Sequence, residues 1–259
     1  MRRRIITALV AGTATAVLAG CGPLGSEASA PATTAPPTAQ EKLAAAVPDG
    51  SAGRYAFSFK DGESTTSGVV DPKSQRISMT TAYKEKELGF TLTMSYLVVE
   101  KNQWVKISFD KKIPGLPQLP KKWLRVDKSK VDDDPFTDLE DPDPVAAAAL
   151  FDAIVKVSED KPGTFTGTLD LTKAEAAQIV DEDGIKALGA KAKAVPFTAT
   201  LDDAGRLATI DIKVPGYGGV KAFTHRATYS KYGSAPEVKA PAADASQDAP
   251  AAAYELLNS

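Results

Sequence analysis

The chain has 259 residues, of which 43% are hydrophobic and 25% charged, and a formal net charge of −2. This composition is typical of a globular chain and excludes a polytopic membrane protein, and the charge excludes the clustered basic excess of nucleic-acid-binding proteins. A single histidine and a single cysteine exclude most metal-, thiol- and histidine-dependent mechanisms. We therefore expect no enzyme, no cofactor, no metal site and no nucleic-acid partner.

The first twenty residues have the organisation of an export signal. Three arginines at positions 2–4 precede an apolar stretch, residues 5–17, which is shorter than the roughly 20 residues needed to span a bilayer. The stretch ends in Leu18-Ala19-Gly20-Cys21, which resembles the bacterial lipobox, in which the cysteine is acylated and the peptide before it is removed. The resemblance implies a lipoprotein signal peptide at 1–20 and a lipid anchor on Cys21.

The alternative for this segment is a plain secretory signal with a cysteine near its cleavage site by chance. The lipobox also accounts for the cysteine count, because an exported chain with one thiol forms no internal disulfide and an unmodified thiol would be reactive. Two or three acyl chains attach a protein stably to a membrane. We therefore expect a lipid-anchored protein on the extracytoplasmic face of the cell membrane.

Residues 21–40 follow as a tether. Beyond Cys21 they are rich in Pro, Ser, Thr and Ala and have almost no large apolar side chains, so they cannot build a core. We expect a disordered segment with an end-to-end distance of about 25 Å. The folded domain, predicted at residues 41–232, would then work beside the membrane.

The first half of this domain reads mainly as strands. Residues 41–47 predict a short amphipathic helix that Pro48 ends. Period-two alternation and turn residues such as Asp61-Gly62 then predict an antiparallel meander. The strands are expected at 55–60, 67–70, from 77 onward, 88–99, 104–109 and 121–127.

The second half mixes helices and strands. A helix is predicted at 145–157, with Asp143 or Asp141 as its cap, and another at 172–180, where Thr172 and Glu175 have capping-box spacing. A strand is expected between them at 164–171, and a short helix at 185–194 precedes strands at 195–201, 206–214 and 220–231. Residues 233–259 return to Ala, Pro and Asp and are expected to be a largely disordered tail, with docking of Tyr254–Leu257 on the domain as the alternative.

This order of elements is typical of one α+β domain with a curved antiparallel sheet. The inner face of such a sheet must be filled, and the predicted helices around 145–157 and 172–188 are the available elements. An apolar cavity remains wherever they fill the face imperfectly.

In plan the chain resembles the LppX and LprG type lipid-carrier lipoproteins of actinobacterial envelopes, which are related in fold to the LolA and LolB carriers. The resemblance covers roughly residues 41–232, and it includes the lipobox and the tether that precede them. It depends on GVVDP at 68–72, RISM at 76–79, WLRVD at 123–127 and VPFTATLDDAGRL at 195–207. It implies a half-barrel of antiparallel strands with helices across its concave face, and a hydrophobic cavity for acyl chains of lipids or lipoglycans.

Candidate cavity-lining residues are the apolar side chains expected to point inward from strands and helices. Ordinary core packing is the alternative for each of them, because apolar residues on the buried face of a sheet need no ligand. The candidates are Phe57, Phe59, Met79, Phe90, Leu92, Met94, Leu150, Ile154, Phe197 and Phe223.

Three other features are weaker candidates for a site. His225 is in phase with Phe223 on the last strand, which predicts a structural histidine, with a headgroup hydrogen bond as the alternative. The acidic segment 132–143 lacks the spacing and glycine of a calcium loop and is interpreted as a solvated loop with a helix cap. The glycine-rich residues 214–219 follow a strand without a helix to hold phosphate, which indicates a flexible loop.

Two functions remain open at this point. The first is a membrane-anchored module that binds or carries the acyl chains of a lipid or glycolipid in a cavity. The second is a structural or regulatory envelope lipoprotein that binds a protein partner through its surface. A hydrolase is disfavoured, because there is no G-x-S-x-G, no H-E-x-x-H, no P-loop and no S-x-x-K with supporting elements.

Overall fold

The computed structural model describes residues 36–62, 64–115, 119–132, 143–174 and 177–258. The predicted signal peptide, Cys21 and most of the tether lie outside these residues. Pro37–Ser259 forms one compact unit. Among the described residues, no helix is long and apolar enough to cross a membrane.

Four helices and twelve strands are found in the described part of the chain. The helices are α1 (Ala39–Ala46), α2 (Ala147–Asp152), α3 (Glu182–Leu188) and α4 (Ala251–Leu257). The strands are β1 (Tyr55–Lys60), β2 (Ser64–Asp71), β3 (Arg76–Glu85), β4 (Phe90–Val99), β5 (Asn102–Phe109), β6 (Trp123–Val126), β7 (Ile154–Lys161), β8 (Thr164–Leu169), β9 (Val195–Leu201), β10 (Leu207–Val214), β11 (Phe223–Ser230) and β12 (Ser246–Asp248).

All these strands belong to one open sheet in the order β12-β6-β5-β4-β3-β2-β1-β11-β10-β9-β8-β7. Neighbouring strands are antiparallel, except that β12 pairs with β6 in parallel. The sheet begins and ends at different strands, so β12 and β7 are its edges. The prediction of an α+β chain with a mostly antiparallel sheet is confirmed.

The strand register defines two faces with different chemistry. Phe57 lies opposite Gly68 and Tyr229, and Met79 lies opposite Tyr96, so these side chains share one face, called here the inner face. The other, outer face is rich in Ser and Thr, whose hydroxyls bond across neighbouring strands. The pairs are Ser58–Thr228 at 2.7 Å, Thr80–Ser95 at 3.0 Å and Thr200–Thr209 at 2.6 Å.

The main core lies mostly on the inner face of β1 and β7–β11, and Val70, Ile77 and Val98 extend it onto β2, β3 and β4. Strand residues such as Phe57, Phe165 and Phe197 are buried there together with Leu43 of α1 and Leu150 of α2. A capping box begins α1, because the Glu41 N–H bonds the Thr38 hydroxyl at 3.2 Å and the Thr38 N–H bonds the Glu41 carboxylate at 2.7 Å. The predicted first helix is confirmed, with its start two residues earlier.

Two glycines lie beneath aromatic rings on this face. Gly68 of β2 is opposite Phe57, and Gly167 of β8 is opposite Phe197. A Cβ at either position would lie 2.7 Å or 2.6 Å from the ring of its partner, closer than van der Waals contact allows. Glycine therefore lets each ring lie flat against the neighbouring strand.

The helix predicted at 145–157 is shorter than expected. Helix α2 ends at Asp152, and Ile154 begins β7 and pairs with Leu169. The residues after Ala153 include Ile154, Val155 and Val157, whose branched Cβ atoms favour a strand. Ile154 is therefore a strand residue and not a helix residue.

The helix predicted at 172–180 is wrong for its described residues, which form a 3₁₀ turn at Leu171–Lys173 and a further 3₁₀ position at Ala177 but no α-helix. The Thr172 hydroxyl donates to Asp170 at 2.6 Å, so it is engaged away from the predicted cap. The predicted helix at 185–194 begins instead at Glu182, where the Asp181 carboxylate accepts the Gly184 N–H at 2.7 Å. It continues as a 3₁₀ turn at Gly189–Ala194.

The C-terminal segment differs from the predicted disordered tail. Val238 is buried against Leu97 and Trp104 on the outer face, and the Arg76 guanidinium donates to its carbonyl oxygen at 3.2 Å. The chain then adds β12 to the edge of β6 and ends in α4. The Ala- and Pro-rich composition of this segment did not predict its order, because the residues that it packs against lie on distant strands.

Candidate ligand-binding face

The predicted cavity residues share the inner face. The register places Phe57 and Phe59 of β1 on the same face as Met79 of β3, and the other strand candidates follow in phase across the sheet. These are Phe90, Leu92, Met94, Ile154, Phe197 and Phe223. The tenth candidate, Leu150, lies on α2 and packs against the same core.

Three of the ten have the burial of ordinary core residues. The exposed fractions of Phe57, Leu150 and Phe197 are 3%, 0% and 2%. All three belong to the main core cluster. Their side chains are covered by the surrounding core and offer no surface to a ligand.

The remaining seven are half-buried. Phe59, Met79, Ile154 and Phe223 pack at the border of the main core. Leu92 and Met94 border a second cluster on the same face, formed by Val105, Ile107 and Leu124 with Ala253 of α4. Phe90 contacts the Phe109 ring edge-on at a centroid distance of 5.8 Å.

Between the two clusters runs a set of half-buried apolar side chains that we call the central strip. It consists of Phe59 on β1, Met79 on β3, and Leu92, Met94 and Tyr96 on β4. On β2, which lies between β1 and β3, Thr66 is buried, Gly68 lies beneath the Phe57 ring and Val70 belongs to the main core. The half-buried apolar surface of the strip is therefore supplied by β1, β3 and β4 and not by β2.

Two side chains bring polar groups to this strip: Tyr96, which belongs to it, and His225, which lies beside it. The Tyr96 hydroxyl donates to the Met94 sulfur at 3.6 Å, and burial raises the pKa of Tyr96, so the phenol stays protonated at neutral pH. His225 is 5% exposed and stacks on Phe59 at a centroid distance of 5.9 Å. Burial lowers the pKa of His225, and Asp61 opposes this effect, so the imidazole is neutral at pH 7.

The expectation that His225 faces inward is confirmed by its register opposite Ile212. Its Nδ1 atom is buried and has no hydrogen-bond partner among the described residues. Most buried polar atoms in proteins are hydrogen-bonded. The interpretation of His225 as a structural histidine stays a prediction.

The segment that leads into α2 is fixed by Asp143. Its buried carboxylate accepts from the N–H groups of Val145 at 3.1 Å and Ala147 at 2.6 Å, and from the Tyr229 hydroxyl at 2.8 Å. Asp143 is not the N-cap of α2: that position is Ala146, which makes no side-chain cap hydrogen bond, and Asp143 instead holds the turn before it. The alternative cap, Asp141, lies outside the described residues. Burial and the nearby Asp143 charge raise the pKa of Tyr229.

No group of three or more His, Cys, Asp or Glu side chains in the described ranges is placed to hold a metal ion. Of the acidic segment considered for calcium, residues 133–142 lie outside those ranges. Asp132 donates its N–H to the side chain of Asn258 at 3.2 Å, which places this residue beside the C-terminal helix.

The glycine-rich residues after β10 form a tight turn. Backbone bonds join Tyr217 N to Val220 O at 3.0 Å and Val220 N to Tyr217 O at 2.6 Å. This agrees with the predicted loop between two strands. The turn projects Val220 into solvent.

Helix α4 is the element of this face that the sequence did not predict. Ala253 is fully buried against β5 and β6, and Leu256 and Leu257 pack beside it. The Tyr254 hydroxyl accepts the Asp127 N–H at 2.9 Å, and the Asn258 amide donates to the Lys130 carbonyl oxygen at 3.0 Å. The only sequence signal for it was the apolar group Tyr254–Leu257 at the end of a polar segment.

Comparison of the sequence with known protein families and with curated proteins found no match in either. The functional interpretation therefore depends on the sequence motifs and on the geometry of the inner face.

Proposed function

We propose that this chain is a membrane-anchored extracytoplasmic protein that binds the acyl chains of a lipid or glycolipid on the inner face of its sheet. It performs no covalent chemistry in this proposal. The observation that carries it is the central strip, where apolar side chains remain half-buried between two packed clusters. Apolar surface of this kind is stabilised when a ligand removes it from water.

The chemistry of the strip suits an acyl chain better than a polar ligand. Met79 and Met94 are unbranched and adapt to flexible hydrocarbon, and Phe59 offers a flat apolar surface. In the finer architecture that we propose, the sheet curves into a half-barrel and the helices lie across its concave face, as in the lipid-carrier family that the sequence resembles.

The anchor is a separate part of the proposal. Acylated Cys21 would attach the protein to the cell membrane, and the tether would keep the folded domain near the headgroups. The membrane is then both the site of attachment and the source of the ligand. An envelope protein would receive or supply the ligand.

Native mass spectrometry tests the proposal on the chain from residue 21 with Cys21→Ser, purified from a host rich in membrane lipid. We expect stoichiometric acyl-lipid adducts that lipid extraction identifies. A clean apo mass, with no adduct after incubation with diverse lipids, would favour the alternative of an envelope lipoprotein that binds a protein through its surface.

Adjacent residues on β4 supply a matched pair of variants. Met94 lies on the inner face opposite Ile107, and Thr93 lies on the outer face opposite Ser108. Met94→Asp places a charge on the strip and should reduce adduct formation at least about tenfold, because a carboxylate next to hydrocarbon is poorly solvated. Thr93→Asp should leave it unchanged, and Met94→Gln tests the same point with a milder change.

A further inference from the structure

One end of the sheet collects exposed apolar side chains. The register pairs Glu85 with Phe90, and Val214 with Phe223, so the β3–β4 turn and the β10–β11 loop project from the same end. Leu88 in the turn is 67% exposed, and Val220 in the loop is 46% exposed. We call this the tip end of the sheet.

The two tips are separated along the sheet. Four strand spacings lie between the β3–β4 turn and the β10–β11 loop in the strand order, which corresponds to roughly 20 Å. The exposed side chains therefore do not form the contiguous apolar patch that a protein interface requires. Two apolar side chains on separate projecting loops fit a fluid surface that each can enter independently.

The tip end also carries lysines beside both exposed turns. The Lys111 ammonium donates to the Leu88 carbonyl oxygen at 3.0 Å and so lies beside the exposed turn. Arg226 is engaged with Asp211 by bonds of 2.6 and 2.7 Å. Apart from that pair, the described positions around the turns at this end hold Lys60, Lys84, Lys86, Lys111, Lys112, Lys213 and Lys221 against Asp61, Glu85, Glu87 and Asp110. Helix α3, which packs on the β10–β11 loop, adds Lys186 against Asp181, Glu182 and Asp183.

The central strip reaches the same end. Phe90 is the first residue of β4 and Phe223 the first of β11, and both lie on the inner face. Tyr83, which is 39% exposed, lies on that face near the end of β3. An acyl chain entering at the tip end would meet these side chains before Met79 and Met94.

We propose that the tip end docks on a bilayer that contains anionic lipid. Leu88 and Val220 enter the interface, and the surrounding lysines contact headgroup phosphates. This inference rests on the proposed function, because it names the surface through which the inner face receives its acyl chain. Opposite charge and insertion of single apolar side chains are the two forces that hold peripheral proteins at such a surface.

Vesicle flotation of the chain from residue 21 with Cys21→Ser tests the docking. Phosphatidylcholine vesicles with phosphatidylglycerol should bind it about tenfold more tightly than phosphatidylcholine alone, and added salt should reduce the difference. Leu88→Ser and Val220→Ser should each weaken binding about fivefold, since each removes apolar area from the interface. Lys221→Glu should weaken it by a similar factor.

Two control variants keep the test specific. Val155 is 58% exposed but lies within edge strand β7, and Lys101 lies in the β4–β5 turn at the opposite end of the sheet. Val155→Ser and Lys101→Glu should bind vesicles as the parent chain does. Equal losses in controls and tip variants, wild-type binding by the double variant Leu88→Ser/Val220→Ser, or absence of vesicle binding would each overturn the proposal.

A soluble fluorescent fatty acid separates this inference from the proposed function. The double variant should bind the probe with an affinity within about twofold of the parent chain, because neither side chain belongs to the central strip. Probe binding without vesicle binding would refute the docking and leave the acyl-binding function standing. Tip-dependent vesicle binding without probe binding would support the docking and refute the acyl-binding function.

Discussion

Gly68 offers a direct test of how the inner face is built. Its position on β2 has room for a hydrogen but not for a methyl group. A Cβ there would overlap the Ser78 carbonyl oxygen and would lie 2.7 Å from Cε1 of Phe57. The change Gly68→Ala must therefore move both a strand backbone and a core ring.

The expected cost follows from these two contacts. Forcing the buried Phe57 ring out of place costs about 1–3 kcal/mol, and displacing the Ser78 carbonyl weakens a ladder hydrogen bond by about 1 kcal/mol. Removing a glycine from the unfolded chain returns about 0.4–1 kcal/mol. The net expectation for Gly68→Ala is a loss of about 2 kcal/mol in the free energy of unfolding.

Urea unfolding followed by tryptophan fluorescence measures this loss. With a slope of about 2 kcal/mol per M, the midpoint should fall by about 1 M. Gly62→Ala is the matched control, because a Cβ there meets nothing within 4 Å, and its midpoint should hardly change. A midpoint for Gly68→Ala within about 0.2 M of wild type would refute the claim that the Phe57 ring and the Ser78 carbonyl oxygen leave no space for a methyl group at this position.

Three further predictions concern other parts of the chain. Tyr229→Phe should lower the free energy of unfolding by about 1.5–3 kcal/mol in urea melts, because the hydroxyl bonds the buried carboxylate of Asp143 at 2.8 Å; an unchanged midpoint would contradict this. His225 has a lowered pKa in the folded state, so the unfolded chain binds more protons between the folded pKa and about 6.5. Stability should therefore fall as pH falls through that window, and in His225→Phe urea melts this part of the slope should be missing. Cys21→Ser should move the protein out of the membrane fraction, and finding it still there would remove the lipid anchor.

The face of each strand candidate could be predicted from the sequence because strand alternation has a period of two. Once Phe90, Leu92 and Met94 are in one strand, they must share a face whatever their partners are. The degree of burial could not be predicted in this way. Phe57 and Phe59 are two residues apart on β1, yet only Phe57 is fully buried, because burial depends on which distant element covers each position.

The helices were harder to predict for the same reason. In the segment after Ala153, the spacing of apolar residues predicted a helix, whereas the β-branched residues favoured a strand. The strand forms because this segment pairs with β8. The C-terminal segment shows the limit most clearly. Its local composition resembles the tether, but Val238 has apolar partners on β4 and β5, and Ala249 N bonds the Arg125 carbonyl oxygen at 3.0 Å.

The position of α4 has a consequence for the proposed site. Ala253 packs against β5 and β6, next to Leu92 and Met94, whereas α1 contacts β7 at the other edge of the sheet. The half-buried strip lies on the part of the sheet between α4 on one side and α1 on the other. The strip is therefore a product of the topology as a whole, since it needs an N-terminal helix on one side and the last helix of the chain on the other. Removing either helix would expose more apolar surface on the inner face, so the acyl chain that we propose as ligand would no longer be limited to β1–β4.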